Sequence, residues 1–190
     1  EEGIPFDRER NERLRGIGRM ESLELILEMA GRTMPPEQKS VLAARKNGYF
    51  RDLIASITPA DLFPGVEDLL TELRASGIGI AIASASHNAA EVVRRLGIGD
   101  RVDAIVDPSS IIRGKPDPEI FLAAAELLGV RPEDCVGVED ARAGIEAICA
   151  ARMVAVGVGT DLPGAQWVVA DTRRLTLDAF ARLFGASAQG

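Results

Sequence analysis

Three polar motifs in this chain carry the groups that phosphate chemistry uses. Ser84-Ala85-Ser86 follows the apolar run from Ile78 to Ala83, Lys115 opens the segment Lys115-Pro116-Asp117-Pro118, and Glu139-Asp140 follows a second apolar run. A hydroxyl with nearby amides can hold a phosphate, an ammonium group can neutralise it, and carboxylates can hold a cation beside it. The three motifs together indicate a phosphate site.

Ser84 is predicted to lie where the chain leaves a strand and turns toward a helix. At such a turn the hydroxyl and the next backbone N–H groups can surround an anion. The alternative is that Ser84 or Ser86 caps the following helix. The sequence leaves both interpretations open.

Lys115 precedes two prolines at alternate positions, which stiffen the segment that carries it. An ammonium held near the edge of the sheet would neutralise a transferring phosphoryl group. The alternative is a solvated lysine on a loop.

Glu139 and Asp140 are adjacent carboxylates at the predicted end of a strand. Two like charges at this spacing are costly to hold unless a cation lies near them, and Mg²⁺ is the natural cation for oxygen ligands. The alternative is an acidic pair that the positive end of the next helix favours.

Two basic residues upstream, Arg19 and Lys46, lie in the predicted helical region and could bind a second phosphate if that region closes over the sheet. Ordinary surface positions are the alternative for both. Gly157-Val158-Gly159 lacks the third glycine of a dinucleotide-binding loop because position 162 is Leu, which argues against a nicotinamide cofactor.

The elements that must position these residues divide the chain in two. Residues 1–58 carry helical signals only, with Ser22 as the expected cap of a helix over Leu23–Met29 and a second helix over Glu37–Ile57. From residue 59 to residue 190, helices alternate with β-branched runs, which is typical of parallel βαβ construction. The expected strands are Ile78–Ala83, Asp103–Val106, Cys135–Val138, Val154–Val158 and Trp167–Ala170; the expected helices are Val66–Ala75, Ala89–Leu96, Glu119–Leu128 and Ala141–Ala150.

This pattern predicts an α/β fold with a doubly wound, Rossmann-like parallel sheet and a small helical domain. Ligands of such sheets bind beyond the carboxyl ends of the strands, where Ser84 and Asp140 both fall. We expect the Ser187–Gly190 end to be frayed.

Composition excludes several classes of protein. The chain has 22 basic and 29 acidic residues, a net charge of −7, and no basic block, so nucleic acid is not an expected partner. No apolar run is long enough to span a bilayer and no signal peptide opens the chain, so we expect a cytoplasmic protein. No surplus apolar stripe calls for a partner, so we expect a monomer. Cys135 and Cys149 are expected to be buried free thiols.

The combination of motifs resembles the haloacid dehalogenase superfamily and, within it, the β-phosphoglucomutase group. The resemblance runs from Arg15-Gly16-Ile17-Gly18-Arg19 through Arg45-Lys46-Asn47 and Ser84-Ala85-Ser86-His87-Asn88 to Gly137-Val138-Glu139-Asp140. It implies a helical cap over residues 1–58 and a core over residues 59–190.

The resemblance also implies the residue roles. Ser84, with the Ala85 and Ser86 segment, would hold the transferring phosphate. Lys115 would bridge that phosphate and the nucleophile, and Asp140 would ligate Mg²⁺ with Glu139 assisting. Arg19 would bind the phosphate at the other end of the substrate. The sugar site would be lined by four residues: Ser22, Lys46, His87 and Asn88.

This sequence departs from the family pattern at three places. Gly18 stands where relatives often have serine, and His87 where many have lysine. Relatives also open with a strand ending in Asp-x-Asp-Gly, whose first Asp attacks phosphorus and whose second is the general acid and base. No Asp-x-Asp occurs in these 190 residues, so we expect the chain alone to lack its first core strand, to be inactive and to fold poorly.

The leading interpretation is therefore a Mg²⁺-dependent mutase that converts β-glucose 1-phosphate to glucose 6-phosphate through a bisphosphate and an aspartyl-phosphate. A sugar-phosphate phosphatase on the same scaffold is the second interpretation. The third is a non-catalytic module that binds sugar phosphates.

Overall fold

Helices precede, and then alternate with, short parallel strands in the computed structural model, which describes residues 2–5, 7, 10–11, 14 and 16–187. Arg15 of the resemblance and residues 188–190 of the expected frayed end lie outside the described residues. The helices are α1 (Arg19–Met29), α2 (Pro36–Ala55), α3 (Val66–Ala75), α4 (Ala89–Arg95), α5 (Glu119–Leu128), α6 (Arg142–Ala150) and α7 (Leu177–Ser187). The strands are β1 (Ala81–Ile82), β2 (Ala104–Ile105), β3 (Val136–Glu139), β4 (Val154–Val158) and β5 (Trp167–Val169).

All the strand pairs are parallel, as the alternation of helices and strands predicts. The described strands form two sheets, one of β1 and β2 and one in the order β3-β4-β5. Ala81 lies opposite Ala104 in the first sheet, and Val136 lies opposite Val154 in the second. The predicted α/β architecture is confirmed, with its strands in two sheets.

Strand β4 shows how helices cover both faces of the larger sheet. Ala155 belongs to a buried cluster with residues of α5 and α6, whereas the next residue, Val156, belongs to a cluster with Leu69 of α3 and Phe180 of α7. Successive strand residues point to opposite faces, so this switch places two helices on each side. Such two-sided burial explains why β4 reads as a continuous apolar run.

Helix α6 lies unusually close to strand β3 because position 137 is glycine. A Cβ atom at Gly137 would lie 2.6 Å from the Ile148 side chain, which is fully buried. The close approach brings the last turn of α6 against the start of β3.

Helices α3 and α5 and strand β4 have the predicted bounds, and most other elements differ by one or two residues at an end. Two elements differ more. The strand expected over Ile78–Ala83 is reduced to Ala81–Ile82, and α1 begins at Arg19 rather than at Leu23. The Ile80 N–H donates to the Asp103 carboxylate at 2.9 Å rather than to a backbone carbonyl, while the Ile80 carbonyl accepts from the Asp103 N–H at 2.8 Å. Backbone pairing is therefore incomplete at Ile80, just before β1.

Two expectations about individual residues are wrong. Ser22 does not cap a helix, because α1 begins at Arg19 after Gly18 and Ser22 lies within it. Cys149 is exposed, near the end of α6, and Cys135 is half-buried just before β3; both are free thiols. Cys149 lies one helical turn after the buried Ile145, and its thiol donates to the Gly164 carbonyl at 3.4 Å.

A capped turn follows α2 at the predicted domain boundary. The Thr58 N–H donates to the Asp61 carboxylate at 2.8 Å, and the Thr58 hydroxyl donates to it at 3.0 Å. The backbone hydrogen bond, with help from the hydroxyl, lowers the pKa of Asp61. The division into two domains at residues 58 and 59 stays a prediction.

Within the described part of the chain, no helix combines the length and the apolar character that a membrane span needs.

Candidate active site

Lys115 lies at the point where the two sheets meet. Its ammonium donates to the Glu139 carboxylate at 2.7 Å and to the Ala83 backbone carbonyl at 3.3 Å. It also lies 4.8 Å from the centre of the Phe121 ring. Lys115 is only 6% exposed, which excludes the solvated loop lysine that the sequence allowed. The residues that follow β1 and those that end β3 thus share one cation.

Glu139 is held by its neighbours on both carboxylate oxygens. One oxygen faces the Lys115 ammonium, and the other accepts hydrogen bonds from the Asp140 and Ala141 N–H groups at 2.9 and 3.1 Å. The side chain passes over Gly144, where a Cβ atom would overlap the carboxylate. A glycine five positions after the acid is therefore required to leave this space open.

These contacts show what surrounds the acidic pair. The cation beside Glu139 is the Lys115 ammonium, and the Mg²⁺ role of the pair stays a prediction. The same carboxylate also accepts from N–H groups just before α6, which begins at Arg142. The neighbouring Asp140 is exposed.

The donor set fits a Mg²⁺ ion only in part. Among the described residues no group of three His, Cys, Asp or Glu side chains could enclose a metal ion. Mg²⁺ in phosphoryl-transfer sites commonly uses one or two carboxylates and takes its other ligands from water and phosphate. Asp140, an exposed carboxylate just after β3, suits that role. Both oxygens of Glu139 accept hydrogen bonds from the protein.

Ser84 lies on the turn between β1 and α4. Its hydroxyl accepts a hydrogen bond from the Ser86 N–H, and the Ser86 hydroxyl accepts one from the Asn88 N–H, both at 3.2 Å. Helix α4 begins after Asn88 and has no side-chain cap, so the capping interpretation of Ser84 and Ser86 is wrong. The two serines instead fold the segment from residue 84 to residue 88, here called the serine loop, into two successive turns.

The loop that carries Lys115 is tied to the helix that follows it. The Glu119 carboxylate, at the start of α5, accepts hydrogen bonds from the Ile112 N–H at 2.7 Å and from the Arg113 N–H at 3.0 Å. These backbone hydrogen bonds lower the pKa of Glu119, and the Arg113 charge adds to the effect. The tie limits the positions that Lys115 can take.

A cavity of about 790 Å³ lies between α1, α2 and the serine loop. Its polar lining includes the predicted substrate residues Arg19, Ser22, Lys46, Ser86, His87 and Asn88, with Ala85 beside them. Most of the remaining lining is apolar. The structure therefore brings together all the residues proposed to bind the sugar and its second phosphate.

Arg19 and Lys46 have neutral partners in this cavity. The Arg19 guanidinium donates to the side-chain oxygen of Asn47 at 2.7 Å, and the Lys46 ammonium lies 5.5 Å from the centre of the Phe50 ring. Lys46 is exposed and Arg19 is half-buried. Both cations keep their charge available to an anion.

The predicted residues thus fall into two groups that the serine loop connects. Ser84, Lys115, Glu139 and Asp140 form the rim group at the carboxyl ends of β1 and β3. The cavity group consists of Arg19, Ser22, Lys46 and residues 85–88. The sequence did not predict roles for Asn47 or for Gly144. The position of Gly144, five residues after Glu139, was the feature of the sequence from which its role could have been predicted.

Comparison with known proteins agrees with this architecture. The family model for haloacid dehalogenase-like hydrolases matches residues 1–152, and the chain belongs to that family. A β-phosphoglucomutase of Bacillus subtilis is 51% identical over 179 residues, which are 92% of this chain and 79% of that protein.

A second comparison is structural. The crystal structure of a β-phosphoglucomutase from Clostridium difficile superimposes with a TM-score of 0.97 at 42% identity and covers 99% of this chain and 86% of that one. A phosphorylated carbohydrates phosphatase of Thermotoga maritima is 30% identical over 148 residues, covering 76% of this chain and 66% of that protein. The family therefore includes both mutases and phosphatases among the relatives of this chain.

Proposed function

We propose that this protein is a β-phosphoglucomutase that interconverts β-glucose 1-phosphate and glucose 6-phosphate. The observation that supports this proposal is the pairing of two cationic sites across one loop. Lys115 lies at the rim, and Arg19 and Lys46 lie in the cavity. A mutase must bind a phosphate at each end of its bisphosphate intermediate, whereas a phosphatase needs one such site.

The rim group would carry the transferring phosphate. The Ser84 hydroxyl and the amides of the serine loop would donate to its oxygens, and the Lys115 ammonium would offset its charge. The nucleophile would be the first Asp of the family's Asp-x-Asp pair, which does not occur among these 190 residues. In its phosphorylated form it would donate the phosphoryl group to the 6-hydroxyl of β-glucose 1-phosphate, which gives the bisphosphate. After the bisphosphate has turned, the carboxylate would accept the phosphoryl group from the 1-position and release glucose 6-phosphate.

The cavity group would hold the second phosphate and the sugar. Arg19 donates through a planar guanidinium, which suits two phosphate oxygens at once. Ser22, Lys46, His87 and Asn88 would contact the sugar hydroxyls. Rotation of the bisphosphate between the two sites then exchanges the roles of its phosphates.

Mg²⁺ is part of this proposal. Asp140 would hold the ion together with water and phosphate oxygens, and Glu139 would assist while it orients Lys115. The bound ion would stabilise the charge on the transferring phosphoryl group.

The test is turnover of β-glucose 1-phosphate by the full product of the gene, with and without glucose 1,6-bisphosphate and Mg²⁺. A mutase forms glucose 6-phosphate, is accelerated by the bisphosphate and loses activity when EDTA removes the metal. Release of inorganic phosphate with no glucose 6-phosphate would instead support the phosphatase, which the Thermotoga relative represents. Binding of glucose 6-phosphate with no turnover would support a non-catalytic module.

The inactivity and poor folding expected of the 190 residues alone stay predictions. Circular dichroism and the same assay on this chain would test them. The cytoplasmic location and the monomeric state also stay predictions.

A further inference from the structure

Asn47 lies where α1, α2 and the serine loop meet. Its side-chain oxygen accepts a hydrogen bond from the Arg19 guanidinium at 2.7 Å and another from the Asn88 side-chain amide at 2.9 Å. Asn47 is half-buried and lines the cavity. One oxygen atom therefore joins residues that are 28 and 41 positions away in the chain.

The donors fix which atom of the Asn47 amide faces them. A guanidinium has only donors, so the atom that faces Arg19 must be the acceptor oxygen. Asn88 then contributes its N–H₂ group to the same oxygen. Loss of that oxygen would leave both donors without this acceptor and free to adopt other rotamers.

The neutrality of Asn47 matters as much as its geometry. A carboxylate at this position would accept the same two hydrogen bonds, but it would also place a negative charge 2.7 Å from Arg19 if the distance were kept. That charge would oppose the binding of an anion to the guanidinium. An amide holds the guanidinium in place and leaves its positive charge for the ligand.

We propose that Asn47 is a positioning residue for phosphate binding in the cavity: it aligns Arg19 with a neutral acceptor and fixes Arg19 relative to Asn88 on the serine loop. The proposal rests on the proposed function, because it takes the cavity as the site of the second phosphate. It assigns Asn47 no contact with the reacting atoms.

Two substitutions separate alignment from charge. Asn47→Leu removes the acceptor at similar volume, and Asn47→Asp keeps an acceptor but adds a negative charge. Gln38→Leu is the matched control, since Gln38 is an exposed amide on the same helix outside the cavity. The probe is glucose 6-phosphate, titrated by calorimetry into the full product of the gene.

We expect both Asn47 variants to weaken glucose 6-phosphate binding by about tenfold, the scale of one hydrogen bond to a charged group. The Gln38 variant should bind as the wild type does. Asn47→Asp should also keep the wild-type melting temperature to within a few degrees, because both hydrogen bonds persist. A purely structural role for Asn47 would leave binding by Asn47→Asp unchanged, and that result would overturn the proposal.

A double-mutant cycle with Arg19→Leu completes the test. If Asn47 acts through Arg19, adding Asn47→Leu to Arg19→Leu should change the dissociation constant by less than about twofold. Full additivity of the two effects would contradict the proposal.

The outcome for the proposed function is read separately. A wild type that binds and converts sugar phosphates while the Asn47 variants bind equally well overturns this inference and leaves the mutase standing. A wild type that neither binds nor converts them overturns both.

Discussion

The rim group and the cavity group both present cations to a phosphate, but they hold those cations in opposite ways. At the rim, Lys115 is buried and paired with the Glu139 carboxylate at 2.7 Å. In the cavity, Arg19 donates to a neutral amide and Lys46 lies over an aromatic ring. The rim cation is paired with a carboxylate before any ligand arrives, whereas Arg19 and Lys46 have no carboxylate partner among the described residues.

This difference separates positioning from attraction. A buried, paired lysine has a fixed location and strong interactions in a medium of low polarity, which suits the stabilisation of charge that develops during a reaction. Partly exposed cations with neutral partners suit the capture of an anion from water. Substitutions at the rim should therefore reduce turnover and stability together, and substitutions in the cavity should mainly weaken binding.

The largest expected effect is that of Lys115→Met. Loss of the ammonium should lower kcat by about 10²–10³-fold, the scale seen when one preorganised donor to a reacting oxygen is removed. It should also destabilise the fold by about 3–5 kcal/mol, because Glu139 stays buried without its cation. Steady-state kinetics and urea denaturation of the full gene product measure the two effects.

The double variant Lys115→Met/Glu139→Gln is the control for this prediction. It removes the unpaired charge, so it should recover part of the lost stability and none of the lost activity. Recovery of activity would contradict the role of Lys115 at the phosphate.

Gly144→Ala should have the next largest effect. The new methyl group would overlap the Glu139 carboxylate and displace it from Lys115. Misplacement of a catalytic group by about 1 Å can cost on the order of 10²-fold in rate, so we expect kcat to fall on that scale. Gly48→Ala adds a methyl group that meets nothing within 4 Å and is the matched control, with wild-type kcat.

Arg19→Leu should act on binding and sharpen the contrast with the rim. We expect KM for β-glucose 1-phosphate to rise by about 30-fold, which corresponds to about 2 kcal/mol for a charge-assisted hydrogen bond. The free energy of unfolding should change little, because the partner that remains is a neutral amide. A large loss of stability in urea denaturation would show that the cavity cation is as deeply integrated into the fold as Lys115.

The smallest effect concerns acid sensitivity near the serine loop. Hydrogen bonds from the Arg94 and Arg95 guanidinium groups lower the pKa of Glu91 to about 2. Because this pKa is depressed, the stabilisation is complete above the ordinary carboxyl value of 4.5 and is lost as pH falls toward 2. Glu91→Gln should make the melting temperature depend less on pH between these two values. Calorimetry at about pH 2–5 can measure the difference.

The sequence was sufficient for the elements that have a strong local pattern. Helix α5 and strand β4 are confirmed residue for residue, because apolar periodicity and a continuous buried run specify them locally. The placement of Ser84 and Asp140 at the carboxyl ends of strands followed from the parallel order alone.

The parts that sequence reasoning missed depend on contacts between distant residues. The strand before Ser84 begins only at Ala81, because the Ile80 N–H donates to the Asp103 side chain. The hydrogen bonds that Asn47 accepts from Arg19 and Asn88 leave no local pattern in the sequence. Ser22 was assigned as a cap from its residue type, but Gly18 precedes the helix instead. Such features require the three-dimensional arrangement.

Lys115 also holds the two sheets together. Its ammonium contacts the Ala83 carbonyl beyond the sheet of β1 and β2 and the Glu139 carboxylate at the end of the sheet of β3, β4 and β5. The same group thus fastens two sheets that share no strand ladder among the described residues. A phosphate that attracts the ammonium must compete with these two hydrogen bonds. Phosphate binding at the rim is therefore coupled to the strength of the contact between the two sheets.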